Sequence, residues 1–134
     1  MKQLLLEAFK FGVVGVVGFV VDTGVLYLLK GALGLYYARV ISFICAVIAT
    51  WLLNRAFTFA QAQVSQRRSK EFLLYFLFMC LGGVINIGCY MIVINYFSLA
   101  HSWPVIAVAV GSIAGMFSNF FMSRTFIYKR IAVS

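Results

Sequence analysis

The chain has 134 residues, of which 64% are hydrophobic and 10% charged, and it carries a formal net charge of +8. Eleven Lys and Arg with three Asp and Glu cannot cover a water-soluble globule of this size, in which roughly a quarter of residues are charged. Mean hydropathy is +1.03, so lipid is the solvent. Four spans of about 20 apolar residues each leave no room for a soluble catalytic domain.

The first apolar run, residues 9–29, is too long for a signal-peptide core, and no small-residue cleavage site follows it. It is read as a retained helix. Further helices are predicted over 36–59, 72–97 and 104–128, the last opened by Pro104, whose missing N–H costs nothing at a helix start. The connections are a short Gly-containing turn at 30–35, a polar basic loop at 60–70 and a short turn at 98–103. The expected fold is an all-α integral membrane protein, one transmembrane domain over 1–134.

Charge bias sets the expected orientation. Lys2, Lys10, Arg55, Arg67, Arg68, Lys70, Arg124, Lys129 and Arg130 fall on one side, and only Lys30 and Arg39 on the other. Positive charge stays in the cytoplasm. Both ends and the middle loop are therefore placed inside, in the inner (plasma) membrane. Arg67, Arg68 and Lys70 read as ordinary inner-loop charge or as a contact for anionic lipid.

The chain repeats itself. An offset of 64 aligns Glu7 with Glu71, Phe11 with Tyr75, Gly18 with Gly82, Asp22 with Asn86 and Gly24 with Gly88. An offset of 69 places Ala38, Ser42, Ala46, Thr50 and Asn54 on Ala107, Gly111, Gly115, Asn119 and Ser123. The four helices thus read as two tandem helical hairpins in a parallel repeat, about an axis along the membrane normal. Small residues at four-residue steps mark helix contacts, because close backbone approach replaces hydrophobic drive in lipid. Gly15, Gly18 and Asp22 are read as sharing one such face.

Asp22 is the sharpest single feature. A carboxylate inside a span costs about 2.5–3.5 kcal/mol on insertion scales. It needs a partner or a water-filled cavity, and Arg39 is the expected partner. Two readings stand: a gating or proton-coupled carboxylate, or a structural pair. Arg55 and Arg124 occupy matched positions near the inner ends, each followed by aromatic residues. They read as arginines converging on one anionic group, with Asn54 and Asn119 as neutral donors, or as snorkelling anchors. Glu7 and Glu71 read as charges favouring helix N-termini. Cys45, Cys80 and Cys89 lie in apolar runs without metal or redox spacing. His101 has no second ligand nearby, and Trp51 and Trp103 read as packing and interface residues. No nucleophile elbow, phosphate loop or acid–base cluster is present, so no enzymatic centre, cofactor or metal is expected. The basic balance belongs to membrane-flanking residues, not to nucleic acid.

Three segments carry a family resemblance: FKFGVVGVVGFVVDTGVLYLL, ARVISFICAVIATWLLNRAFTF and NFFMSRTFIY. With the motif Asn-Arg-x-Phe-Thr-Phe at 54–59 and the Gly-rich first helix bearing Asp22, the chain resembles the GtrA-like family over about 9–128. The resemblance implies a translocase for a polyprenyl-phosphate-linked sugar in cell-surface polysaccharide synthesis, working beside a membrane glycosyltransferase. It carries the family's polar helix residues onto Asp22, Asn54 and Arg55. In the second half Ser123 stands for the asparagine and Asn86 for the aspartate, which implies unequal halves. The candidate substrate-binding set is Asp22, Arg39, Asn54, Arg55, Asn86, Asn119 and Arg124. Four helices enclose little volume, so a homo-oligomer, most simply a dimer, is expected among membrane lipids. The rival readings are a small multidrug exporter, disfavoured by the charge bias, and a non-transporting anchor for a glycosyltransferase.

Overall fold

The computed structural model describes residues 1–129, without the side chains of His101, Pro104 and Val105. Arg130, counted above among the inner charges, and the His101 side chain lie outside the described residues. The described residues are helical, with no strand: α1 Lys2–Leu53, α2 Arg68–Tyr96, α3 Ser98–Ser102 and α4 Pro104–Met122. A π-turn follows α1 at Asn54–Thr58, and a second follows α4 at Ser123–Ile127. Three stretches are long and apolar enough to cross a membrane: Lys2–Thr58, Arg68–Tyr96 and Ile106–Ile127. The chain divides into two compact units, Met1–Ala62 and Gln63–Ser134, and each is described by itself.

In the first unit α1 is 52 residues long. If straight, it would hold Phe11 and Phe59 about 70 Å apart, at 1.5 Å per residue. Their ring centroids are 6.2 Å apart. The helix doubles back at Gly34, where φ is 73° and ψ 167°. Sequence spacing gives a six-residue turn at 30–35; the structure uses one residue, because the flanking Ala, Leu and Tyr all tolerate a helix and only glycine takes this φ without a Cβ penalty. Along the first limb Glu7, Phe11, Val14 and Gly18 are buried; on the returning limb Ala38, Ser42 and Val47 are buried. Steps of four, three and four residues keep the first set on one helix face. Thr50 fits its Cγ2 where Gly18 has no side chain. Lys10 Nζ donates to the Phe57 carbonyl at 3.4 Å.

Gly34→Ala is expected to weaken this unit by about 1–3 kcal/mol, the cost of holding an L-residue at positive φ with extended ψ, a region essentially reserved to glycine. Gly31, helical with open space around it, is the control: alanine there is neutral or mildly stabilising. Unfolding midpoints in an SDS titration of the two purified variants decide this; equal midpoints would remove the role given to Gly34.

The second unit is built on α2 against α4. Their backbones approach at three glycines. A Cβ on Gly115 would lie 2.8 Å from the Gly82 carbonyl oxygen, and one on Gly111 2.5 Å from that of Asn86. Gly82 in turn faces the Asn119 carboxamide. The connection expected at 98–103 contains the one-turn helix α3, and Ala100 within it is buried. At the other end, Tyr128 Oη donates to Glu71 Oε1 at 3.0 Å. Phe78 and Phe126 pack with centroids 5.8 Å apart, and Gln66 Nε2 donates to the Phe126 carbonyl at 3.3 Å.

Candidate functional site

The break at Gly34 brings the two limbs of α1 together near Asp22. Arg39 Nη1 lies 2.5 Å from Asp22 Oδ2. Ser42 Oγ donates to Asp22 Oδ1 at 2.6 Å and lies 3.0 Å from the Arg39 carbonyl oxygen. Each carboxylate oxygen thus has its own donor. The exposures differ in a telling way: the Asp22 side chain is 17% accessible and that of Arg39 57%. Asp22 is a sheltered anion held by two groups. Arg39 is a cation with an open face and five N–H donors in its guanidinium, so a second anion can approach it without breaking into the packing. The predicted pair is therefore present, and Ser42 joins it.

The next polar level of the first unit lies at its π-turn. Here the Phe59 N–H reaches back five residues to the Asn54 carbonyl, at 2.8 Å. Such turns inside helices are rare and occur often at functional sites. Thr58 Oγ1 donates to Asn54 Oδ1 at 2.7 Å, and both residues are buried. Arg55 sits in the same turn and is partly exposed. One turn earlier Thr50 bonds back to the carbonyls of Ala46 and Val47, at 2.9 and 3.1 Å.

The second unit carries the corresponding levels with different chemistry. Asn86 faces Gly111 where Asp22 meets Ser42, and no cation stands at the position equivalent to Arg39, which is Val108. Asn119 faces Gly82 as Thr50 faces Gly18. The Tyr128 N–H closes the second π-turn on the Ser123 carbonyl at 2.9 Å. Arg124 is in that turn and partly exposed, and Ile127 replaces the hydroxyl of Thr58. Asn119 Oδ1 and Ser123 Oγ are buried without a hydrogen-bond partner.

A model of the GtrA/DPMS transmembrane domain matches residues 10–128. The chain belongs to this family. No curated protein matches it. The GtrA/DPMS match spans both π-turns and all seven candidate residues, from Asp22 to Arg124. Membership together with the long apolar helices makes this a membrane protein, and it is consistent with a role in the membrane handling of glycosylated lipids.

Glu7 departs from its expected role, while Glu71 keeps its place at a helix start. Glu7 is not at a helix start: α1 begins at Lys2, and Glu7 is buried on the contact face. Glu71 does lie in the first turn of α2, yet it is fully buried and takes the Tyr128 hydroxyl. The available signal was the four-residue step from Glu7 to Phe11 and from Glu71 to Tyr75, which puts each acid on an apolar stripe. Gly15, expected on the same face as Gly18, is exposed with nothing near it. It lies about 70° from the centre of the stripe formed by residues 7, 11, 14 and 18, at 100° per residue.

Proposed function

We propose that this GtrA/DPMS protein translocates a polyprenyl-phosphate-linked monosaccharide from the cytoplasmic to the outer leaflet, for modification of cell-surface polysaccharide. The observation that carries the reading is the Asp22–Arg39–Ser42 cluster within a strongly apolar unit. Ionisable groups inside a span are costly and mark the path of a polar cargo. The cargo is an anionic, hydroxylated head on a long apolar tail, and it needs polar stations beside lipid. In this reading α1 forms two spans and α2 and α4 two more, as tandem hairpins with both termini inside. In the second unit Arg124 meets the phosphate on entry and Asn86 and Asn119 line the way; in the first, Arg55 meets it, Asn54 lines the way, and Arg39 receives the phosphate at the outer end. Asp22 holds Arg39 in place until then. The protein is not an enzyme. A membrane glycosyltransferase makes the lipid-linked sugar on the inner side, and a homo-oligomer, most simply a dimer, provides the enclosed volume.

The test is reconstitution into liposomes with a polyprenyl phosphohexose in both leaflets, its outer pool oxidised by impermeant periodate. Protein-dependent exposure of the protected pool is expected, at least tenfold faster than in protein-free vesicles. Arg39→Ala, Arg55→Ala and Arg124→Ala should each slow it. Correctly inserted protein that leaves the protected pool untouched would end the translocase reading. Intact surface glycosylation in cells with all three substitutions would favour the anchor instead.

A further inference from the structure

In the path just described Asn119 lines the way with no contact assigned to its carboxamide oxygen, and Ser123 has no role. Asn119 and Ser123 are one turn apart, so their side chains share one face of the helix. Ser123 is fully buried, and neither Asn119 Oδ1 nor Ser123 Oγ has a hydrogen-bond partner. Buried polar groups are nearly always paired, and one that is not calls for a specific reason.

The first unit supplies an internal comparison. Thr50 and Asn54 hold the equivalent positions, and both are satisfied: Thr50 by the Ala46 and Val47 carbonyls, Asn54 Oδ1 by the Thr58 hydroxyl. In the second unit Ile127 stands where Thr58 would be. The donor to this level is gone, while the polar atoms that would use one remain. A packing role alone would be served better by alanine and leucine.

The chemistry of the pair selects its ligand. A carboxamide oxygen only accepts, whereas a serine hydroxyl both donates and accepts. A phosphate oxygen offers acceptors only, so it gains nothing at Asn119 Oδ1. A hydroxyl can donate to Asn119 and accept from Ser123 at about 2.8 Å from each. We infer that Asn119 and Ser123 bind a hydroxyl of the carbohydrate head rather than its phosphate. Asn119 is seated against Gly82, so the ligand engages it as α4 moves off Gly82 at that point. This rests on the translocase reading and adds a separate station for the sugar.

The experiment uses the full chain in detergent micelles and two probes: a short-chain polyprenyl phosphate, and the same lipid carrying one hexose. Dissociation constants come from ligand-dependent thermal shifts. Wild type is expected to bind the sugar-bearing lipid more tightly. Ser123→Ala should weaken that lipid about five- to tenfold, the value of one hydrogen bond, and leave the sugar-free lipid unchanged. Without ligand this variant should melt no lower than wild type, since it removes an unpaired hydroxyl. Asn119→Leu should lose the same sugar preference, and Ser123→Thr should keep it. If Ser123→Ala and Asn119→Leu retain the preference, the face holds water or nothing, and the sugar station is wrong while translocation stands. Equal binding of both lipids by wild type overturns it as well. If neither lipid binds wild type, the translocase reading fails first and the station with it.

Discussion

Alanine at Gly115 is expected to destabilise the second unit by about 1–3 kcal/mol, and by more at Gly111, as overpacking of a tight contact does. The Cβ added at Gly115 would sit 2.8 Å from the Gly82 carbonyl oxygen and 3.1 Å from the Asn86 Cβ. At Gly111 it would sit 2.5 Å from the Asn86 carbonyl oxygen. Main-chain atoms of α2 cannot swing aside as the end of a side chain can. The two helices must part along this seam, and the dispersion contacts beside it are lost together. Gly83 gives the control, because it adjoins Gly82 in sequence yet has nothing within 4 Å of its missing Cβ. SDS-titration midpoints should fall in the order Gly83→Ala, Gly115→Ala, Gly111→Ala. A Gly115→Ala protein as stable as Gly83→Ala would mean that the close approach is unimportant.

Breaking the ion pair of the first unit should have the largest effect on transport. Arg39→Ala leaves Asp22 sheltered, with only the Ser42 hydroxyl to hold it. Removing one partner of a fully buried pair costs about 3–5 kcal/mol. Arg39 is 57% exposed, so a smaller loss of about 2 kcal/mol is expected, within the usual range for directly coupled residues. Asp22→Ala should cost less, because the exposed arginine can turn toward the interface. The informative protein is the double variant Asp22→Asn with Arg39→Gln. It removes both charges at similar volume, so stability should return most of the way to wild type. Transport of the phosphorylated lipid should stay at least tenfold down, since no cation is left at this level. Vesicle flux measured beside SDS midpoints separates the two effects. A double variant that transports at the wild-type rate would reduce the pair to a structural clasp.

The long apolar helices were legible because a run of apolar residues has few alternatives to a helix in lipid. Pairing of Asp22 with Arg39 was legible for a related reason, since a charge in that solvent demands a partner. The details that escaped depend on counts and edges. A π-turn has no side-chain signature, and Asn54–Thr58 reads equally well as the end of an α-helix. Glu7 looked like a cap because the first helix was expected to start at residue 9; once α1 starts at Lys2, the same acid falls on the contact stripe. Ser42 entered the site through a hydrogen bond across the fold-back, which four-residue spacing along one helix cannot report. The unpaired atoms of Asn119 and Ser123 were beyond reach too, because satisfaction depends on where Ile127 and Gly82 come to lie.

Each π-turn encloses one residue more than an α-turn would. The aromatic residue just beyond it is therefore aimed by arithmetic as much as by chemistry. One residue corresponds to about 100° of rotation around a helix, enough to carry the Tyr128 hydroxyl away from Glu71 and the Phe59 ring away from Phe11. An insertion or deletion within 54–58 or 123–127 breaks that aim. These short stretches act as spacers whose length carries information that their spelling does not.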